Sequence, residues 1–327
     1  MYDYGFSTLE QYGIEAERTW RVRGALLCQT QQGLLILKEF KASEKKLKKQ
    51  QELLQLLSQK GFLVDAYLKN QEEQLVSFDK DGIAYTLQHW YEGKECDTRS
   101  QEDIRKSIQL LAELHNVMRL PLQEEYQGKS LEDEYVRHNQ ELRKIRKFIR
   151  KKRAENIFEK EYLSSVEYYL EKGEQALEVL KDSHYQELRS QSVKAGKICH
   201  GEYHQHNVWM VKGGMAAVNF GHWNYDIQMA DLYRFMRKVL EKYNWNCELG
   251  KEMIRLYHQR KPLSSEEWQN LKVRFLYPEK YWKIANYYYT HNKAWNSDKN
   301  TEKLKILIKQ KQEKERFMEQ CFGEYPF

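Results

Sequence analysis

Between Ile198 and Trp209 the chain gathers a carboxylate, Glu202, an amide, Asn207, and three imidazoles, His200, His204 and His206, with Cys199 inside the stretch and His222 beyond it. Imidazoles and a thiol at such spacing can converge on zinc. The plainer reading is favoured: His200 orients the loop backbone by a hydrogen bond, and the other rings face a cleft or solvent. A carboxylate at position 202 can act as a general base. The amide oxygens of Asn207 and of Asn219 can ligate a hard cation, although neither brings it negative charge. Asp226 is a further carboxylate close by in sequence. Two other features could meet ligands. Arg143 to Arg153 is the most basic stretch of the chain, suited to nucleic acid, a polyanionic glycan or an acidic partner, though such a run is more often a solvated helix face. Trp282 with Tyr287 to Tyr289 could serve oxidative crosslinking, but core packing is the commoner use of such rings.

The elements that must hold these groups are legible from periodicity. Thr19 to Arg23, Ala25 to Thr30 and Leu34 to Phe40 read as strands, the last two joined across Gln31-Gln32-Gly33. Ser43 to Lys60 reads as an amphipathic helix, with Ser43 as N-cap and Gly61 just past its end. Strands follow at Leu63 to Leu68, Leu75 to Phe78 and Ile83 to Trp90, the last pair turned by Asp79-Lys80-Asp81-Gly82. A helix begins at Ser100, helical period runs from 131 to 180, a strand-rich patch spans Ile198 to Asn219, and helices resume from Asp226 to Phe322.

Composition narrows the class. The 327 residues are 41% hydrophobic and 13% aromatic with 16 Gly and 4 Pro, enough for a core and unlike a disordered or collagenous chain. No apolar run is long enough for a membrane-spanning helix, and Met1 to Trp20 lacks the features of a secretion signal, so a cytosolic chain is expected. Five widely spaced Cys without a CxxC pair argue for reduced thiols. A net charge of +6, evenly spread, suits anionic ligands and argues against nucleic acid as a partner.

The order of landmarks carries a resemblance. His200-Gly201-Glu202 followed by Asn207 resembles the catalytic loop of the aminoglycoside phosphotransferase and choline kinase branch of the protein-kinase-like fold. Asn219-Phe220-Gly221 stands where that branch places its metal-binding segment, and Lys38 on the third strand where it places a phosphate-pairing lysine. Gly82 to Leu87 with Trp90, Gly93 and Glu95-Cys96-Asp97, Leu111 to His115, and Asp231 to Lys238 are similar to the CotS family of bacterial spore coat proteins, over nearly the whole chain. The resemblance implies an α+β, bilobal protein-kinase-like fold. Its small antiparallel-sheet N-lobe, a five-stranded sheet with one helix, would occupy residues 1–92, and a mainly helical C-lobe residues 93–327, with the catalytic-loop-like segment at 198–221. It implies ATP and Mg²⁺, bound weakly or not at all, with Lys38 on the phosphates, Glu52 as partner of Lys38, the strand end at Gln88, His89 and Trp90 beside the base, and Asn207 with Asn219 as metal ligands.

Departures from the pattern lie at the chemical positions. Glu202 stands where the branch has Asp, one methylene longer; Asn219 replaces a metal-binding Asp; and Arg23-Gly24 is all that remains of a glycine-rich phosphate loop. With Glu202 and Asn207 as the catalytic candidates, two readings follow. One is a CotS-like coat protein that is a pseudokinase or weakly active, made in the mother-cell cytoplasm, deposited in the spore coat and partnered by other coat proteins. The other is an ATP-dependent phosphotransferase acting on a small molecule or sugar, with Glu202 as base.

Overall fold

The computed structural model describes residues 5–290 and 297–323, so the first four residues of the expected non-secretory start and residues 291–296 of the expected helical run lie outside the described residues. The chain divides into two compact units, residues 1–126 with 195–225 and residues 127–194 with 226–327.

In the first unit β1 (Ala16–Val22), β2 (Ala25–Thr30) and β3 (Gly33–Glu39) form a meander. Gly33 takes φ 104°, the conformation the second turn demands. Helix α1 (Glu44–Gln59) starts on the Ser43 hydroxyl, which accepts from the Lys46 N–H at 3.2 Å. It is followed by β4 (Leu63–Val64), β5 (Ser77–Phe78), β6 (Ala84–His89) and β7 (Gly93–Glu95). The main sheet runs β1-β2-β3-β6-β5, and its alternating residues, among them Cys28, Leu35, Leu37 and Leu87, build one apolar layer with Leu9 and Tyr12. Helix α2 (Gln101–Val117) is capped by Ser100. The unit is completed by β8 (Ile198–Cys199), β9 (Val208–Val211), β10 (Gly214–Ala217) and β11 (Asn224–Tyr225).

One expected strand is redirected. Of the stretch 63–68, Leu63–Val64 pairs in parallel with Ala216 and Ala217 of β10, while Tyr67 forms a single antiparallel bridge to Gln88 of β6, with Leu68 N–H on the Leu87 carbonyl at 2.8 Å and His89 N–H on the Ala66 carbonyl at 2.9 Å. The other backbone edge of Tyr67 is taken by the Gln51 side chain, whose amide oxygen accepts from Tyr67 N–H at 3.1 Å and whose amide nitrogen donates to Tyr67 C=O at 3.2 Å. Asp65 lies between the two pairings.

The second unit is helical: α3 (Leu131–Lys152), α4 (Ile157–Asp182), α5 (Tyr185–Lys194), α6 (Met229–Leu240), α7 (Cys247–Arg260), α8 (Ser265–Leu276), α9 (Glu279–Thr290), α10 (Ser297–Lys309) and α11 (Lys311–Phe322). Stacked rings dominate its core, with Tyr135 on Tyr277 at 3.5 Å, Phe158 on Tyr288 at 3.9 Å and Tyr169 on Tyr281 at 4.0 Å. The basic stretch is partly neutralised by α4: Arg143 meets Glu174, Arg146 and Arg150 share Glu167, and Lys152 reaches Glu159 at 2.7 Å.

His138 of α3 lies buried, stacked on Trp282 at 3.4 Å and beside the Arg137 guanidinium at 3.2 Å. Burial, aided by that positive neighbour, pushes its pKa down to about 4. A depressed folded-state value means the unfolded chain binds the proton more readily, so His138 stabilises the fold above about pH 6.5 and this contribution disappears as pH falls towards 4. Denaturant unfolding of wild type and His138→Gln at pH 7.5 and pH 4.5 should show the wild type losing on the order of 1–2 kcal/mol more across that interval than the variant.

Candidate functional site

The site is built around a carboxylate that the sequence reading did not single out. Asp65, directly after β4, is fully buried. Its Oδ2 accepts from the Asn219 backbone N–H at 2.8 Å, from Gln88 Nε2 at 3.3 Å and from Lys38 Nζ at 3.4 Å. Gln88 also holds the Asp65 carbonyl at 2.7 Å. Burial pushes the Asp65 carboxyl up and the Lys38 ammonium down, and each opposes the other's shift by its charge. Lys38, on β3, also donates to Asn219 Oδ1 at 2.8 Å. Asn219 adopts the left-handed conformation, φ 66° and ψ 53°, which asparagine tolerates better than most residues. That turn aims its N–H at Asp65 and its side chain at Lys38.

The amides continue the chain of contacts. Asn219 Nδ2 donates to Asn207 Oδ1 at 2.8 Å, and Asn207 Nδ2 donates to the Glu202 carbonyl at 2.8 Å. Lys38, Asn219 and Asn207 are therefore brought together, as the resemblance implies, and both amide oxygens accept from protein donors. Glu202 contributes its backbone to this network. Its carboxylate turns to His222, 3.8 Å away. His200 is buried and bonds the Val218 carbonyl at 3.1 Å through Nε2, while Nδ1 accepts from the Glu202 N–H at 3.2 Å. It orients the loop, as expected. Gly201 between them is obligatory: at φ 83°, an added Cβ would sit 2.0 Å from the His222 carbonyl oxygen. Among the described residues no three His, Cys, Asp or Glu side chains form a metal cluster, so the imidazoles do not converge.

Glu52 is not brought to Lys38. Itself exposed, it pairs with the buried Lys49 at 2.7 Å, and Asp65 takes the place foreseen for it. A lone acid within the apolar run Leu63-Val64-Asp65-Ala66 was the available signal, because an acid buried there must be paired. His89 is exposed at the end of β6. Trp90 is buried, edge-on to Trp209 at 5.3 Å, in a cluster with Leu27, Ile36, Ala216 and Val218, and its ring centroid is 5.0 Å from Lys38 Nζ. Asp226 belongs to the second unit, where it is buried with the Arg274 charge nearby. The turn between β1 and β2 is tied down as well. Arg23 pairs with Glu95 of β7 at 2.6 Å, and Glu95 also meets His206. The residues enclose a cavity of about 410 Å³, lined by Arg23, Lys38, Asp65, Glu202, Asn207 and Asn219 among others.

Asp65→Ala should remove a carboxylate from three donors and leave Lys38 without its counter-ion, lowering the unfolding free energy by about 3 kcal/mol. Glu52→Gln should change it by less than about 0.5 kcal/mol. Urea unfolding of both variants compares the two, and equal effects would refute the assignment of Asp65 as the partner.

A family model described as spore coat putative kinase YutH matches residues 7–321. Spore coat protein S of Bacillus subtilis (strain 168) is 21% identical over 254 residues, covering 73% of this chain and 70% of the relative. Among solved structures, an aminoglycoside phosphotransferase from Alicyclobacillus acidocaldarius superposes with a TM-score of 0.85 at 14% identity, covering 96% of this chain and 93% of the other. A spectinomycin phosphotransferase in complex with ADP and spectinomycin gives 0.61 at 12% identity, with coverage of 91% and 90%. At such identities the likeness establishes the fold, which is the kinase-like one expected.

Proposed function

The chain belongs to the spore coat putative kinase YutH family, and on that premise we propose that it is a spore coat component whose kinase-like site has lost efficient phosphoryl transfer. The observation that carries this reading is the state of Lys38. Phosphoryl transfer needs a cation free to meet phosphate oxygens and anionic oxygens to hold the metal. Here the ammonium is held by Asn219 Oδ1 and Asp65, and the amide oxygens of Asn207 and Asn219 both accept from protein donors. A small divalent cation favours several oxygens in near-octahedral array, usually with carboxylates among them. The two amides do not fit that requirement, and the Glu202 carboxylate is turned to His222. Apolar packing points the same way. A purine beside the end of β6 would have to displace Trp90 from Leu27, Ile36 and Trp209.

In this reading the protein is made in the mother-cell cytoplasm and takes its place in the coat among other coat proteins, as the name of its relative spore coat protein S suggests. Fold and coat assembly, not turnover, are its working properties. Lys38→Met and Glu202→Gln fusions to a fluorescent protein should therefore still localise to the spore. The alternative, a kinase of the kind whose relative holds ADP, predicts a bound nucleotide. A site with a dissociation constant of ~10 µM would gain about 2.7 kcal/mol at 1 mM ATP, a rise of several degrees in the unfolding midpoint. Thermal unfolding with 1 mM ATP, in Mg²⁺ and in chelator, should show a shift below about 1 °C that is indifferent to the metal. A Mg²⁺-dependent rise in the wild type overturns the proposal.

A further inference from the structure

The second unit contains a cavity of about 430 Å³ enclosed by α4, α6, α8, α9, α10 and α11, and none of the Lys38, Asp65, Asn207 and Asn219 group lines it. Its volume is that of a small-molecule site. Aromatic rings form much of its wall, from Tyr168 and Tyr169 of α4, Trp245 after α6 and Tyr281 of α9, with Leu307 of α10 and Met318 of α11 beside them.

Charge around it is unevenly matched, with six basic and three acidic side chains on the lining. Two of the acids are already engaged. Glu241 accepts from Arg237 at 2.5 Å and from Lys280 at 2.9 Å, and Glu315 accepts from the Tyr168 hydroxyl at 2.7 Å. Lys172 and Lys311 lie over the Tyr168 ring, 5.7 and 3.6 Å from its centroid. Lys314 is the exceptional group. Its ammonium is 5.4 Å from the Trp245 centroid, with no carboxylate within 4 Å among the described residues. Burial pushes it down to about 8, with Glu241 opposing and Arg237 and Lys172 reinforcing the shift, so at neutral pH it remains mostly a cation. Lys314 is partly exposed and lies over a ring face with no direct carboxylate partner among the described residues, and an anion entering the cavity would supply one.

We propose that this cavity is a second ligand site, which takes a flat aromatic body carrying a single carboxylate, the rings against the Tyr and Trp walls and the carboxylate on Lys314. Stacking favours planar rings over alkyl chains on such walls. A phosphate group fits less well. Doubly charged oxyanions favour bidentate guanidinium, and Arg237 is already committed to Glu241.

The test is calorimetric titration of the full chain with 2-naphthoate and with its neutral counterpart 2-naphthamide. Naphthoate should bind saturably, at least tenfold more tightly than naphthamide, a difference of about 1.4 kcal/mol. Lys314→Met should weaken naphthoate about tenfold, to the naphthamide level, and leave naphthamide unchanged. Met318→Trp, which fills the cavity from α11, should abolish both. Thermal unfolding checks that each variant folds, and the two-probe comparison in the wild type decides the matter even if one does not. Equal affinity for the two probes, undiminished naphthoate binding in either folded variant, or no heat from either probe at millimolar concentration overturns the proposal. None of these outcomes depends on whether the first unit binds ATP.

Discussion

A carboxylate buried away from water is tolerated only when it is paired, and the first unit is organised around satisfying one. Asp65 Oδ2 gathers Lys38 from β3, Gln88 from β6 and the N–H of Asn219 after β10. Three separate segments are thus fixed by one oxygen. The short parallel pairing of β4 with β10 delivers Asp65 to that point, and the bridge of Tyr67 to Gln88, with Gln51 clamped on the outer edge of Tyr67, holds the chain beyond it against β6. The left-handed turn at Asn219 and the glycine at 201 serve the same convergence, since each permits a close backbone approach that a bulkier residue would block.

The same geometry explains what the amide at 219 does. An aspartate there would place a second negative group beside Asp65, with Lys38 shared between them. Asparagine instead acts in both directions, accepting from Lys38 and donating to Asn207, so that the line Lys38, Asn219, Asn207 and the Glu202 carbonyl closes on protein partners alone. Polar networks are most stabilising when every member is satisfied, and here Asp65 Oδ1 is buried with no partner among the described residues.

Much of this was legible in the sequence because it depends on local rules. Ser43 and Gly61 bracket α1, the hairpin turns carry their glycines, and the loop from His200 to Asn207 announces itself by composition. Lys38, Asn207 and Asn219 were identified and do meet. Asp65 was not, because its importance depends on a pairing between residues 154 positions apart and on a two-residue strand too short to leave a periodic signal. Glu52 shows the converse. Its helical position admitted a contact with Lys38, but Lys49 lies on its own helix three residues away and takes it. In the second unit the basic stretch reads from sequence as a solvated helix face with ligand binding as the rarer use, and the glutamates that answer part of it, Glu159, Glu167 and Glu174, lie on the next helix where sequence spacing does not reveal them.

The stacked tyrosines of that unit also bear on redox behaviour. Burial raises the pKa of Tyr135, Tyr162, Tyr169, Tyr277 and Tyr281 well above that of a free phenol and so disfavours their phenolates. The phenolate is the form that gives up an electron most readily, so these rings are withheld both from oxidants in solution and from the ring-to-ring coupling that knits protein films together. Tyr287, by contrast, has 41% of its surface exposed. A helical core rich in tyrosine is thus guarded from oxidative coupling by its own burial, and the phenols open to that chemistry are those at its surface.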